Sequence, residues 1–166
     1  EGERYTKEAA AKIAKTLKVN EKEIYFTSGG TESNNWALIG TALANQRAGK
    51  HIIISAIEHP AVSAPAEFLE NQGFTVTRLS VDQQGKISLE ELENAMTNET
   101  ILVSVMYVNN EVGSVQPIAQ IGELIKKKNP KTYFHVDAIQ AYGKYKILPK
   151  KMYIDMLSAS GHKIHG

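Results

Sequence analysis

Apolar runs of strand length alternate with amphipathic stretches of helix length along this chain, and that alternation restricts the fold more than any other feature. Glu23 to Thr27, His51 to Ser55, Phe74 to Leu79, Ile101 to Val108, Lys131 to Val136 and Tyr153 to Leu157 read as strands. Helical patterns lie between them: Lys7 to Leu17, Asn34 to Ala48, Pro60 to Asn71, Ser88 to Ala95 and Pro117 to Lys128. His51 to Ser55 carries its isoleucines without alternation, as strands buried on both faces do. Strand–helix–strand units join parallel strands through right-handed crossovers. The expected fold class is therefore α/β: a mostly parallel sheet sandwiched by helices.

Local signals set the expected boundaries. Thr6 is a candidate N-cap, with Ala10, Ile13, Ala14 and Leu17 along one face of the helix that follows. Gly49 and Gly73 are expected to end helices, and Pro60 suits a first helical turn. Ser88 and Glu91 have the spacing of a capping box. Lys126-Lys127-Lys128 falls at a helix C-terminus, where cations suit the dipole, and is expected to be a solvated end. Val81 to Lys86 resembles a calcium loop only faintly. Its glycine is misplaced and the carboxylate ligands are missing, so it reads as a turn and no metal site is expected.

A chain of 166 residues that is 42% hydrophobic suits one domain with a buried core. A net charge of +1 gives no strong field toward nucleic acid or membrane, and no apolar run is long enough to span a bilayer. The chain has no cysteine, which removes disulfides, thiolate metal sites and a cysteine nucleophile of its own. Glu1 to Lys18 is charged and helical in pattern, unlike a signal peptide, and a cytoplasmic location is expected. There is no initiator methionine, and the chain stops just past Lys163. The expectation is a piece of a longer protein.

Open parallel sheets bind ligands at the carboxyl ends of their strands. Polar groups cluster at five such ends: Gly29 to Ser33, Glu58-His59, Asn109-Asn110-Glu111, Asp137 with Gln140, and Ser160 to Lys163. Gly29-Gly30-Thr31 reads equally as a plain turn and as an anion cradle at a helix start. His59 is either a packed residue before Pro60 or a flat ring able to stack on an aromatic ligand. Asn109 and Asn110 form a turn or orient a ligand oxygen. Asp137 sits among apolar neighbours and needs a cation or several donors, such as a protonated pyridine nitrogen. Lys163 is either part of a polar loop or an amine set up for Schiff-base chemistry. Pyridoxal phosphate would use every one of these parts.

The segments Phe26-Thr27-Ser28-Gly29-Gly30-Thr31-Glu32-Ser33-Asn34, Glu58-His59-Pro60-Ala61-Val62, Val108-Asn109-Asn110-Glu111-Val112-Gly113, His135-Val136-Asp137-Ala138-Ile139-Gln140 and Ser158-Ala159-Ser160-Gly161-His162-Lys163 resemble the successive signatures of NifS/IscS-like cysteine desulfurases, in the class V aminotransferase family. The likeness runs through nearly the whole chain. It implies pyridoxal phosphate held covalently by Lys163, with His59 stacked on its ring and moving protons. It further implies Asp137 at the ring nitrogen, Gln140 at the ring hydroxyl oxygen, and Gly30, Thr31, Ser160 and His162 at the phosphate. Asn110 would lie by the cofactor and the substrate carboxylate.

The implied reaction takes sulfur from L-cysteine, leaves alanine, and passes the sulfur as a persulfide to an acceptor protein, for iron–sulfur or other sulfur-using pathways. Homodimers are typical of the family. Residues 1–166 would be a fragment of the large, cofactor-binding domain. The rest of that domain, the small C-terminal domain, the persulfide cysteine and the substrate-binding arginine come later in the family. So does an antiparallel strand that would neighbour Ile24 to Thr27. By itself the chain is expected to bind cofactor weakly and not to desulfurate cysteine. Three other readings stand beside this one: a selenocysteine lyase or other class V carbon–sulfur lyase or aminotransferase, a non-catalytic anion-binding α/β module, and a structural fragment that binds nothing.

Overall fold

In a computed structural model of the chain, the described residues are 15, 18, 34–55, 60–109, 114–138 and 147–158. Their strands are β1 (His51–Ser55), β2 (Thr75–Leu79), β3 (Thr100–Met106), β4 (Val108–Asn109), β5 (Ser114–Val115), β6 (Tyr133–Asp137) and β7 (Met156–Ser158). Five of them form one sheet in the order β2-β1-β3-β6-β7, and every pairing in it is parallel. The helices are α1 (Thr41–Ala44), α2 (Pro60–Asn71), α3 (Leu89–Ala95) and α4 (Ile118–Lys128). Of the helix expected over 7–17 only residue 15 is described, and it is helical; the strand expected over 23–27 lies outside the described residues.

Both sheet faces are covered, which is why these strands carry apolar residues without interruption. On one face Ile53, Val103, Val105, Phe134 and Val136 pack with Leu92 of α3 and with Ile118, Ile121 and Ile125 of α4. On the other, Ile52, Ile54 and Leu102 pack with Leu38, Ala42, Ala66, Leu69 and Phe74. Full burial of each such leucine or isoleucine contributes about 1.5–3 kcal/mol. One polar rung crosses three strands at the sheet's amino end. His51 of β1 places Nδ1 2.6 Å from Thr100 Oγ1 in β3 and Nε2 2.7 Å from Thr77 Oγ1 in β2. Among the described residues no helix is long and apolar enough to cross a membrane.

Several boundaries fall as expected. β1 and α2 have the expected limits, and Gly73 ends α2 at φ +97°, a conformation that favours glycine. The helix expected over Asn34 to Ala48 is present over 34–44, with a π-helical turn, Trp36–Gly40, inside it running into the short α1. Asn45 ends it, because its side-chain amide takes the Thr41 carbonyl at 2.8 Å. Gly49 is therefore not the cap. It is a point of close approach, where a Cβ would collide with the Glu99 carbonyl. The expected loop over 109–115 begins and ends in an antiparallel pair, β4 with β5.

Half of the capping box forms. Ser88 Oγ accepts from the Glu91 backbone N–H at 3.2 Å, while the Glu91 carboxylate turns to Ser80, accepting from its N–H at 3.0 Å and its hydroxyl at 2.7 Å. These donors hold the Glu91 carboxyl below its usual range. Ser88→Ala is expected to cost about 1 kcal/mol, read as a lowered urea midpoint with unchanged slope. Asp82 Oδ1 accepts from the Gln84 and Lys86 N–H groups, so the calcium-like segment is a turn closed by its own carboxylate. Lys126 is not simply solvated: Nζ donates to the Thr132 carbonyl at 2.8 Å and to Asp155 Oδ2 at 2.5 Å. Lys127 and Lys128 are exposed as expected.

Candidate functional site

Side chains alternate across a strand, so Phe134 and Val136 of β6 enter one core while His135 and Asp137 share the opposite face. His135 is fully buried. Its Nδ1 lies 2.8 Å from Ser104 Oγ in β3, and its Nε2 lies 2.9 Å from Ser158 Oγ in β7. Burial pushes the imidazole down to about 4, so at neutral pH the ring is uncharged. One ring nitrogen then accepts and the other donates, and a serine hydroxyl serves either role.

Asp137 ends β6 and is 4% exposed. It stands in register with Met106 of β3 and Ser158 of β7, at the carboxyl ends of three adjacent strands. The backbone closes around it: Tyr107 N–H donates to the Asp137 carbonyl at 2.9 Å, and Ala138 N–H donates to that of Ser158 at 2.8 Å. From 103 positions earlier in the chain, Asn34 Nδ2 donates to Asp137 Oδ2 at 3.3 Å. The Asn34 amide thus presents its NH₂ side to the carboxylate. That orientation leaves Asn34 Oδ1 fully buried with no hydrogen-bond partner. Buried acceptors are rarely left unmet in folded proteins, and an exception points to a missing donor.

This chemistry suits a flat, protonated heteroaromatic ligand. A buried carboxylate at the strand ends, already holding one neutral donor, is the partner a pyridinium nitrogen needs. The unmet Asn34 oxygen beside it can accept a further donor.

Asp137 is the one predicted site residue within the described set, and it lies at a strand end as expected. Gly30, Thr31, His59, Asn110, Gln140, Ser160, His162 and Lys163 lie outside the described residues. In sequence, His59 follows the end of β1 by four positions, Gln140 follows Asp137 by three, and Lys163 follows Ser158 by five. Four residues were not singled out from sequence: Asn34, Ser104, His135 and Ser158. A signal existed for two of them. In sequence Asn34 directly follows the glycine-bearing segment 29–33, and His135 precedes Asp137 by two, the period of one strand face. A cavity of about 770 Å³ opens at the other end of the strands, lined by Thr97, Thr100, Lys126, Lys131, Tyr133 and Asp155 among others. It shares no residue with the Asp137 cluster.

Comparison with known proteins gives a consistent picture. The family model described as aminotransferase class-V matches residues 2–166. Cysteine desulfurase IscS of Clostridium botulinum is 53% identical over 158 residues, which are 95% of this chain and 39% of that protein. A solved structure of a NifS-like protein superposes with a TM-score of 0.93 at 42% identity, covering 99% of this chain and 45% of that one. Another, described as SspA in complex with cysteine, superposes at 0.90 with 43% identity, covering 97% and 46%. The chain thus spans less than half the length of the relatives it matches.

Proposed function

The chain belongs to the class-V aminotransferase family, and on that premise we propose that it is the cofactor-binding part of a pyridoxal-phosphate-dependent cysteine desulfurase. One observation carries the reading. Asn34 and Asp137 meet at the carboxyl edge of a parallel sheet, and the buried carboxylate is held there by a neutral donor. Similarity to IscS and to a protein solved with cysteine supports L-cysteine as the substrate.

Bound at this edge, pyridoxal phosphate supplies a ring that takes up negative charge as a bond to the substrate α-carbon breaks. The residues of this chain do the rest. Asp137 would keep a proton on the ring nitrogen. Lys163 would supply the amine that holds the cofactor aldehyde. His59 would stack on the ring and move a proton, and Gln140 would hold the ring hydroxyl oxygen. Gly30, Thr31, Ser160 and His162 would hold the phosphate. Asn110 would lie by the ring and the substrate carboxylate.

L-cysteine and an acceptor thiol become L-alanine and a persulfide: the carbon–sulfur bond breaks and a sulfur–sulfur bond forms. The chain has no cysteine, so that thiol lies outside it. Residues 1–166 would be a piece of the large domain. The working protein would be a cytoplasmic homodimer that passes sulfur to an acceptor protein and does not bind nucleic acid or membrane.

Lys163→Ala is the test. The intact protein mixed with pyridoxal phosphate is expected to gain a visible absorption band. Borohydride should then fix one cofactor per chain by mass. The variant should show neither, and alanine production from L-cysteine should fall by about 10³-fold or more. An intact protein that develops no band would refute the reading.

A further inference from the structure

Asn34 is not among the residues assigned above to the cofactor, yet its side chain is fully buried and is directed at the one described acid of the site. Its Nδ2 meets Asp137 Oδ2 at 3.3 Å, and its Oδ1 has no partner. A residue kept only for packing would not need an amide here. An apolar side chain of the same volume would avoid burying an acceptor whose desolvation is unrepaid.

We propose that Asn34 is a positioning residue for the cofactor ring, acting through Asp137: its amide fixes the carboxylate that faces the ring nitrogen. The inference rests on the cofactor reading above. A neutral donor is suited to this task. It holds the carboxylate in place without cancelling its charge, whereas an arginine or lysine at position 34 would compete with the ring nitrogen for that charge. Asn34 also heads the helical segment that leads into α1, and in sequence it directly follows the glycine-bearing segment 29–33. One side chain therefore ties the helix start to the end of β6, two elements expected to grip opposite ends of the same ligand.

The test compares two probes on the intact apoprotein: pyridoxal phosphate and its 1-deaza analogue, in which carbon replaces the ring nitrogen. Dissociation constants are measured for the unaltered protein, for Asn34→Ala, and for Asn34→Leu, which fills the volume without supplying a donor. Apoprotein melting is recorded alongside. Both variants are expected to bind pyridoxal phosphate about tenfold more weakly. Their affinity for the deaza analogue should change by less than about twofold, because no contact with the ring nitrogen remains to be lost. Equal losses for both probes, or no loss for either, would overturn the proposal and leave the cofactor reading intact. Failure of the unaltered protein to bind pyridoxal phosphate would overturn both.

Discussion

Gly122→Ala is expected to destabilise the fold by at least about 2 kcal/mol, although alanine is the better helix former. Gly122 is buried in α4, and a Cβ there would fall far inside contact distance of the Met152 carbonyl oxygen. It would also lie 3.1 Å from the Met152 carbonyl carbon and from Tyr153 Cβ. Backbone cannot rotate away as a side chain can, so α4 or the 152–153 segment has to move. That segment has little slack. Tyr153 is already left-handed at φ 61°, and the turn is closed by Met152 N–H to the Leu148 carbonyl and Ile154 N–H to that of Pro149. Displacing it also drags Asp155, which holds both Lys126 Nζ and the Phe134 N–H. Overpacking of this kind costs roughly 3 kcal/mol or more, against about 1 kcal/mol gained in helix propensity. Urea unfolding of the variant decides the matter, and an unchanged midpoint would mean that the 152–153 turn yields freely.

Acid is expected to remove up to roughly 3 kcal/mol of stability between pH 6.5 and about 4, through His135. An unfolded histidine takes up its proton near 6.5, whereas the buried ring resists until about 4. Over that window the unfolded state binds more protons, so stability is complete above 6.5 and falls as the pH drops. His51, also held low by burial, adds to the loss in the same direction. The measurement is the urea midpoint as a function of pH. His135→Asn should lower the midpoint at pH 7, because Ser104 and Ser158 lose their shared partner. It should also flatten the slope between 6.5 and 4. A variant that keeps the full slope would show that the acid sensitivity lies elsewhere.

The architecture was legible because a parallel sheet covered on both faces writes itself as uninterrupted apolar strands between amphipathic helices. β1, α2 and the Gly73 turn show this, each with a local cause. The misreadings share a different cause. Glu91 finds Ser80 eleven positions back, Lys126 finds Asp155 twenty-nine ahead, and Gly49 meets Glu99 across the fold. Local rules priced each residue against its own helix, and tertiary contacts outbid them. At the site, Asp137 stood out as a charge among apolar neighbours. Asn34 did not, since an asparagine at a helix start has a sufficient local explanation, and only its partner 103 residues away reveals another.

The two imidazoles also bear on how the strands find one another. Parallel pairings join distant segments and form late, when slipped alternatives compete. Sliding β3 past β1, or β7 past β6, by a single residue would turn Thr100 or Ser158 to the wrong side and leave a ring nitrogen dry. Each polar atom so stranded costs about 1–3 kcal/mol. His51 and His135 thus act as alignment keys, one on each side of the sheet, and a mispaired chain is penalised from within its own interior.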